Sequence, residues 1–158
     1  MANDYPYLPE GRIIKHVSAD DRFMREAKIV RDTTSTDLNH STGAVVVLNG
    51  KIVGHGANRS ALKNKKLLDF HKNVFCARRF LRIQSGEKYW LCPGCSSPRY
   101  HAETRATEDA LKNRGSIQGA DLYLYGHWWC CKPCWNAMIT AGIHDVYLVE
   151  GAEEQFKI

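Results

Sequence analysis

The chain has 158 residues, 44% of them hydrophobic, with 22 Lys and Arg against 17 Asp and Glu and a formal net charge of +5. That length suits one domain that buries a core without disulfide staples, and it leaves little room for a second. No segment approaches the ~18 consecutive apolar residues of a membrane span, and the opening MANDYPYLPEGR holds Asp4 and Glu10 and no apolar run, so a soluble, cytoplasmic protein with no membrane partner is expected.

Along the chain, Ser18-Ala19-Asp20-Asp21 has the form of a helix start, and Phe23, Met24, Ala27 and Val30 recur near helical spacing. A first helix is predicted over roughly 19–33, then a polar loop from Thr33 to Thr42. Ala44 to Leu48, Asn49-Gly50 and Lys51-Ile52-Val53 read as strand, two-residue turn and strand, because Asn-Gly between β-branched runs is a strong hairpin signal. Residues 59–100 find no place in this pattern: a helical patch is predicted around Leu67 to Ile83 and a loop from Gly86 to Tyr100, and a stretch of that length inside a compact domain marks an insertion. Between Arg59 and Lys88 lie nine Lys or Arg against Asp69 and Glu87, a patch that suits phosphate, nucleic acid or an acidic neighbouring subunit, or is simply a solvated helix face.

From His101 to about Arg114, Ala102, Ala106 and Ala110 fall at i, i+4 and i+8 with Gly115 as a stop, which predicts a helix with a close-packing face. Leu122 to Tyr125 is a strand, Cys131 to Ala141 a helix ended by Gly142, and Val146 to Val149 a last strand. The order α-ββ-α-β-α-β implies an α/β fold, a three-layer α/β/α arrangement with a mixed central sheet and helices on both faces.

Six cysteines, four of them in two CxxC pairs, favour metal binding in a reducing compartment over a disulfide framework. His101-Ala102-Glu103 and, after 27 intervening residues, Cys131-Lys132-Pro133-Cys134 bring together one imidazole, two thiols and one carboxylate. Three such ligands leave the fourth tetrahedral position of a zinc ion open for water. His101 and Cys131 each open a helix, so the partial positive charge of two helix N-termini would favour thiolates and acidify that water. Pro133 fits a first turn, where its missing N–H has no helical partner to lose. Glu103 is poorly placed to ligate the same ion but can carry the water's proton, which is the equipment of a hydrolytic deaminase. Taken singly, a histidine beside a helix or a lone CxxC has a structural or redox explanation; it is their order and spacing together that point to a catalytic metal.

These residues resemble the cytidine and deoxycytidylate deaminase superfamily, over most of the chain from the first helix to the last strand. Ser35-Thr36-Asp37 followed by Ser41-Thr42-Gly43-Ala44-Val45-Val46-Val47 is similar to the segment before the hairpin in deoxycytidylate deaminases. The resemblance implies that His101, Cys131 and Cys134 hold the catalytic zinc, that Glu103 moves protons, that Asn58 contacts the substrate sugar and that the backbone at Ala102 meets the pyrimidine edge. It also favours a homo-oligomer. His127, Trp128 and Trp129 lie just upstream of the cysteines, where they either stack on the base or serve the core or a subunit interface. Three positions depart from the family pattern: Cys130 stands where proline usually precedes the first cysteine, Arg105 replaces a common asparagine, and Gly126-His127-Trp128-Trp129 replaces the usual Thr-containing strand end.

A second zinc, of closed structural type, is expected at Cys92 and Cys95 of Cys92-Pro93-Gly94-Cys95 with His71 and Cys76, Cys130 being the competing fourth ligand. The leading function is hydrolytic deamination of a pyrimidine nucleotide, dCMP to dUMP, with Arg59 or Arg99 meeting the phosphate. The alternatives are a deaminase of tRNA or single-stranded nucleic acid using the 59–88 patch, and a non-catalytic zinc-stabilised interaction module, which would have no use for Glu103 beside an open ligand position.

Overall fold

In the computed structural model, which describes residues 5–157 apart from Leu38 and Ser85, the chain runs through β1 (Ile14–Val17), α1 (Arg22–Thr34), β2 (Gly43–Leu48), β3 (Lys51–Ala57), α2 (Lys65–Asn73), α3 (Ala77–Phe80), α4 (Ala102–Arg114), β4 (Asp121–Tyr125), α5 (Lys132–Ala141), β5 (Val146–Val149) and α6 (Ala152–Phe156). Two single-turn 3-10 segments, Tyr89–Leu91 and Pro98–Tyr100, lie between α3 and α4. The strands form one mixed sheet in the order β1-β5-β4-β2-β3. β1, β5 and β4 are parallel, and β2 runs antiparallel to both β4 and β3.

Helices cover both faces, and the small residues of the hairpin show why. A Cβ built on Gly43 would run into the backbone of α1 at Ala27 and Arg31; one built on Gly54 or Gly56 would run into α4 between Ala102 and Ala110. Successive residues of a strand point to opposite faces, so α1 lies on one side and α4 on the other. On α4 the facing residues are Ala102, Ala106 and Ala110, all fully buried, and helix and strand meet almost backbone to backbone. That contact fixes where the N-terminus of α4 stands above the sheet. α5 packs beside α4 and buries Trp135 and Met138. Phe156 of α6 meets Tyr125, which pairs with Gly43 on the α1 side. The central strands supply the core through Val45, Val46, Leu122, Leu124, Val146 and Leu148.

The expected hairpin forms with Asn49 and Gly50 both at positive φ. α1 begins three residues later than predicted, capped by Asp21, whose carboxylate accepts from the N–H groups of Phe23 and Met24. Two elements had no sequence signal of their own: the edge strand β1, four residues with Lys15 and His16 at its centre, and the five-residue α6. The continuous helix expected over 67–83 is instead two helices broken at Val74 to Cys76. His71 and Cys76 are five residues apart, and on one helix they would point about 140° away from each other. The break lets both side chains reach the same cluster. No helix among the described residues is long and apolar enough to cross a membrane.

Candidate active site

His101 is the N-cap of α4 and Cys131 the N-cap of α5, and neither side chain caps its helix, so both are free to face another group. Cys134 follows in the first turn of α5, one residue after Pro133. His101 Nδ1 lies 3.5 Å from Cys131 Sγ and 3.4 Å from Cys134 Sγ, and the two sulfurs are 3.2 Å apart. Zinc bonds of about 2.3 Å to sulfur and 2.0–2.1 Å to nitrogen at tetrahedral angles put sulfur and nitrogen about 3.5 Å apart, as here, while the two sulfurs would have to part from 3.2 Å to about 3.8 Å to hold the ion. The ring is also turned the right way. His101 Nε2 faces the Ser96 carbonyl at 3.0 Å, which fixes the proton there and leaves the Nδ1 lone pair toward the sulfurs. Ser96 is in turn held by its hydroxyl, which donates to Asp37 at 3.0 Å.

The electrostatics fit a cation. Cys131 and Cys134 share one proton: the Cys134 thiol pulls the Cys131 pKa down, and the resulting thiolate, together with burial, holds Cys134 well above its ordinary value. A divalent ion would take both as thiolates. Burial opposes charge on His101, yet its hydrogen bond to Cys131 and the Glu103 carboxylate raise its pKa. Glu103, in the first turn of α4 and 5% exposed, has its pKa raised mainly by burial, with His101 pulling the other way.

Glu103, His101 and Cys131 line one pocket with Asp37, Asn39, His40, Thr42, Asn58, Arg78, Tyr89, Cys95, Ser96, His127 and Trp129. Asn58 sits in this lining, and its amide also fastens the 35–42 loop: Oδ1 accepts from Thr42 N at 2.9 Å and from the Ser35 hydroxyl, and Nδ2 donates to the His40 carbonyl. His127 Nδ1 accepts from the N–H groups of Trp128 and Trp129, so the proton is on Nε2. Burial, reinforced by His40 and His101, lowers its pKa to about 3 and keeps it neutral. Trp129 Nε1 is buried without a partner among the described residues. Trp128 lies outside the lining, between the Tyr5 ring edge and Lys157. Ala102 is fully buried with its carbonyl against Gly56, at the helix–sheet contact and outside the lining. Arg59 and Arg99 are exposed and lie outside it too, whereas Arg78 is part of it.

A second cluster gathers His71, Cys76, Cys92 and Cys95 within 4.8 Å of one another. Cys76 Sγ is 3.8 Å from Cys92 Sγ and 3.6 Å from Cys95 Sγ, and Cys95 Sγ is 3.6 Å from His71 Nε2. Two thiolates on one zinc stand about 3.8 Å apart, which matches a closed Cys₃His set. Cys76 is the N-cap of α3, and although burial opposes it, the N–H groups of Arg79 and Arg78 lower its pKa. Cys130 joins neither cluster. It is fully buried beside Glu103, with its thiol hydrogen-bonded to that carboxylate and its pKa raised by burial and by the Glu103 charge. All six cysteines are free thiols.

The sequence model of the cytidine and deoxycytidylate deaminase zinc-binding region matches residues 17–150, a span that contains both clusters and the whole pocket lining. The chain belongs to this deaminase family. No curated protein matches it by sequence. Among solved structures it is similar to dCMP deaminase of the cyanophage S-TIM5 in complex with dCMP and dUMP, at 22% identity, covering 85% of this chain and 87% of that one, TM-score 0.48. It is similar to guanine deaminase from Bacillus subtilis at 21% identity, covering 85% and 68%, TM-score 0.45. A third is the diaminohydroxyphosphoribosylaminopyrimidine deaminase/reductase of Thermotoga maritima, at 21% identity, covering 85% and 32%, TM-score 0.46. Family membership rests on the sequence model alone.

The positions that the sequence reading set apart from the deaminase family pattern each have a place. Cys130 backs Glu103, Arg105 is half-buried on α4, and His127 with Trp129 forms a wall of the pocket. Asp37, His40, Arg78, Tyr89 and Ser96 were not singled out as site residues by their spacing. They come from loops or from a four-residue helix, where no periodicity announces a role. Ser96 acts through its main chain, which no residue type reveals.

Proposed function

We propose that this protein is a zinc-dependent hydrolytic deaminase of a free cytosine nucleotide, converting dCMP to dUMP and ammonia. The observation that carries the reading is a buried carboxylate, Glu103, in the same pocket as His101 and Cys131, two members of the trio that Cys134 completes. When bound there, zinc acidifies a water and so supplies the nucleophile for attack at C4. Glu103 accepts the water's proton and passes protons to N3 and to the departing amine, so that the C4–N bond breaks, ammonia leaves and a carbonyl remains. Its raised pKa suits a group that must both take and give a proton at neutral pH. Cys134 and Cys131 act as thiolates, and the Ser96 carbonyl keeps the His101 ring in the ligating orientation. Trp129 and the neutral Nε2–H of His127 offer the base a wall and a donor, and Asn58 faces the sugar.

The same reading assigns a second, structural zinc to His71, Cys76, Cys92 and Cys95, supported by four ligand atoms at the separations of a closed site. It includes a cytoplasmic location, supported by six unpaired thiols, and a homo-oligomer, supported by exposed apolar side chains at Phe70, Val74, Phe80, Leu81 and Trp90.

The test is ammonia release from cytidine, deoxycytidine, their monophosphates, a single-stranded oligonucleotide and a tRNA. Release from dCMP is expected. Release only from the polymers would overturn the reading in favour of nucleic-acid deamination, to which the nine Lys and Arg between 59 and 88 give some support. Metal analysis should find about two zinc ions per chain, falling to about one in Cys92→Ser/Cys95→Ser; one ion in the parent protein would sink the structural site.

A further inference from the structure

Arg78 is the one Lys or Arg among the described residues of the Glu103 pocket. It reaches the pocket from α3, in the 59–100 segment, and its position is built rather than incidental. Its Nε donates to the Glu87 carbonyl at 3.0 Å and one Nη to the Gln84 carbonyl at 3.1 Å, while the guanidinium lies over the Tyr89 ring, 4.2 Å from its centroid. The carbonyls and the phenol orient the group and leave it charged, while the Cys95 side chain of the second cluster also hydrogen-bonds the guanidinium. Burial holds the Tyr89 phenol well above its ordinary pKa. Tyr89 in turn meets the His101 ring edge-on, centroids 5.1 Å apart. The cation therefore stands one aromatic ring away from His101, in the same pocket as Glu103, His101 and Cys131.

The rest of the lining gives that cation a polarity. Asp37 is already occupied, accepting from Ser96 and from the N–H groups of Asn39 and His40. His127 is neutral and keeps a proton on Nε2, and Trp129 Nε1 is a buried donor without a partner among the described residues. An anionic oxygen group is thus drawn to Arg78, and a bidentate guanidinium is well matched to phosphate.

We propose that Arg78 is the specificity-determining residue that recognises the 5′-phosphate of a nucleoside monophosphate, at the opposite end of the substrate from the carbon that is attacked. This rests on the reading of the site as a cytosine-nucleotide deaminase and names the feature by which it tells nucleotide from nucleoside.

The experiment compares kcat and KM for dCMP, for deoxycytidine and for cytosine in a short oligonucleotide, in the zinc-loaded parent protein, Arg78→Gln and Arg78→Lys. Gln keeps an N–H for the 84–87 carbonyls and removes the charge; Lys keeps the charge and loses the fork. The parent protein should prefer dCMP. Arg78→Gln should lower kcat/KM for dCMP by roughly ten- to a hundred-fold, mainly through KM, and affect deoxycytidine far less, with Arg78→Lys between. Melting temperature and bound zinc, read on the same samples, should match the parent. Equal losses on dCMP and deoxycytidine would show that Arg78 only shapes the pocket and would overturn the proposal, as would a parent protein indifferent to the phosphate. A loss confined to the oligonucleotide would reassign Arg78 to a phosphodiester backbone. A parent protein inactive on both monomers overturns the cytosine-nucleotide reading itself, a pattern distinct from the other three.

Discussion

Glu103 combines two properties that seldom occur together in a structural carboxylate: it is 5% exposed, and the group that hydrogen-bonds it, Cys130, is itself buried. A buried carboxylate kept only for stability would normally be paired with a base that neutralises it. Glu103→Gln should therefore keep the fold and the zinc content while lowering deamination by roughly 10²–10⁴-fold, the usual worth of a positioned proton carrier. Cys134→Ala should lose bound zinc together with activity, and metal analysis beside the ammonia assay separates the two variants. His101, Glu103, Cys131 and Cys134 were legible in the sequence because two short segments carry all four, each at the start of a helix whose register follows from spacing. Arg78, Tyr89 and Ser96 were not, because what qualifies them is a carbonyl direction or a ring contact made across the chain. Arg59 and Arg99, expected to meet the phosphate, lie outside the pocket lining: charge can be read from sequence, and the side of a loop that it faces cannot.

The elements that carry the site are held by a contact with no room in it. A Cβ on Gly56 would meet the backbone of Ala102, Arg105 and Ala106, none of which can swing aside as a side chain can. Gly56→Val should then cost about 1–3 kcal/mol or more by overpacking, and should displace the first turn of α4 that carries Glu103. A urea titration would register the stability loss, and weaker zinc retention would register the displacement. The alanine period of α4 revealed this close-packing face in advance, although not its partner strand. β1 escaped notice because four residues centred on Lys15 and His16 have no apolar alternation. The break between α2 and α3 escaped because no Gly or Pro marks it; the convergence of His71 and Cys76 on one cluster accounts for it.

At the scale of the whole molecule two histidines set acid against the fold, while the raised pKa values of His101 and Glu103 act the other way. His127 has a folded pKa of about 3 against an ordinary value of 6.5, because burial disfavours its charged form, and burial lowers His71 as well. Below pH 6.5 the unfolded chain binds protons that the folded one refuses, so this contribution is complete above that pH and shrinks as pH falls toward 3. The urea midpoint should drop between pH 7 and pH 4, and His127→Asn should flatten the dependence; a midpoint equally steep in that variant would assign the effect elsewhere.

The pocket wall divides unevenly between two kinds of backbone. His101, Glu103 and Cys131 stand at or beside the starts of two helices, one of which is pressed onto the sheet, whereas Asp37, Asn39, His40, Arg78, Tyr89, Cys95, Ser96, His127 and Trp129 come from connecting loops or the short α3. On the proposed function, reactivity and selectivity are thus written on separate parts of the chain. A designer wishing to retarget this scaffold would vary His40, Arg78, His127 and Trp129, and would keep the helix starts together with Ser96, whose carbonyl orients His101.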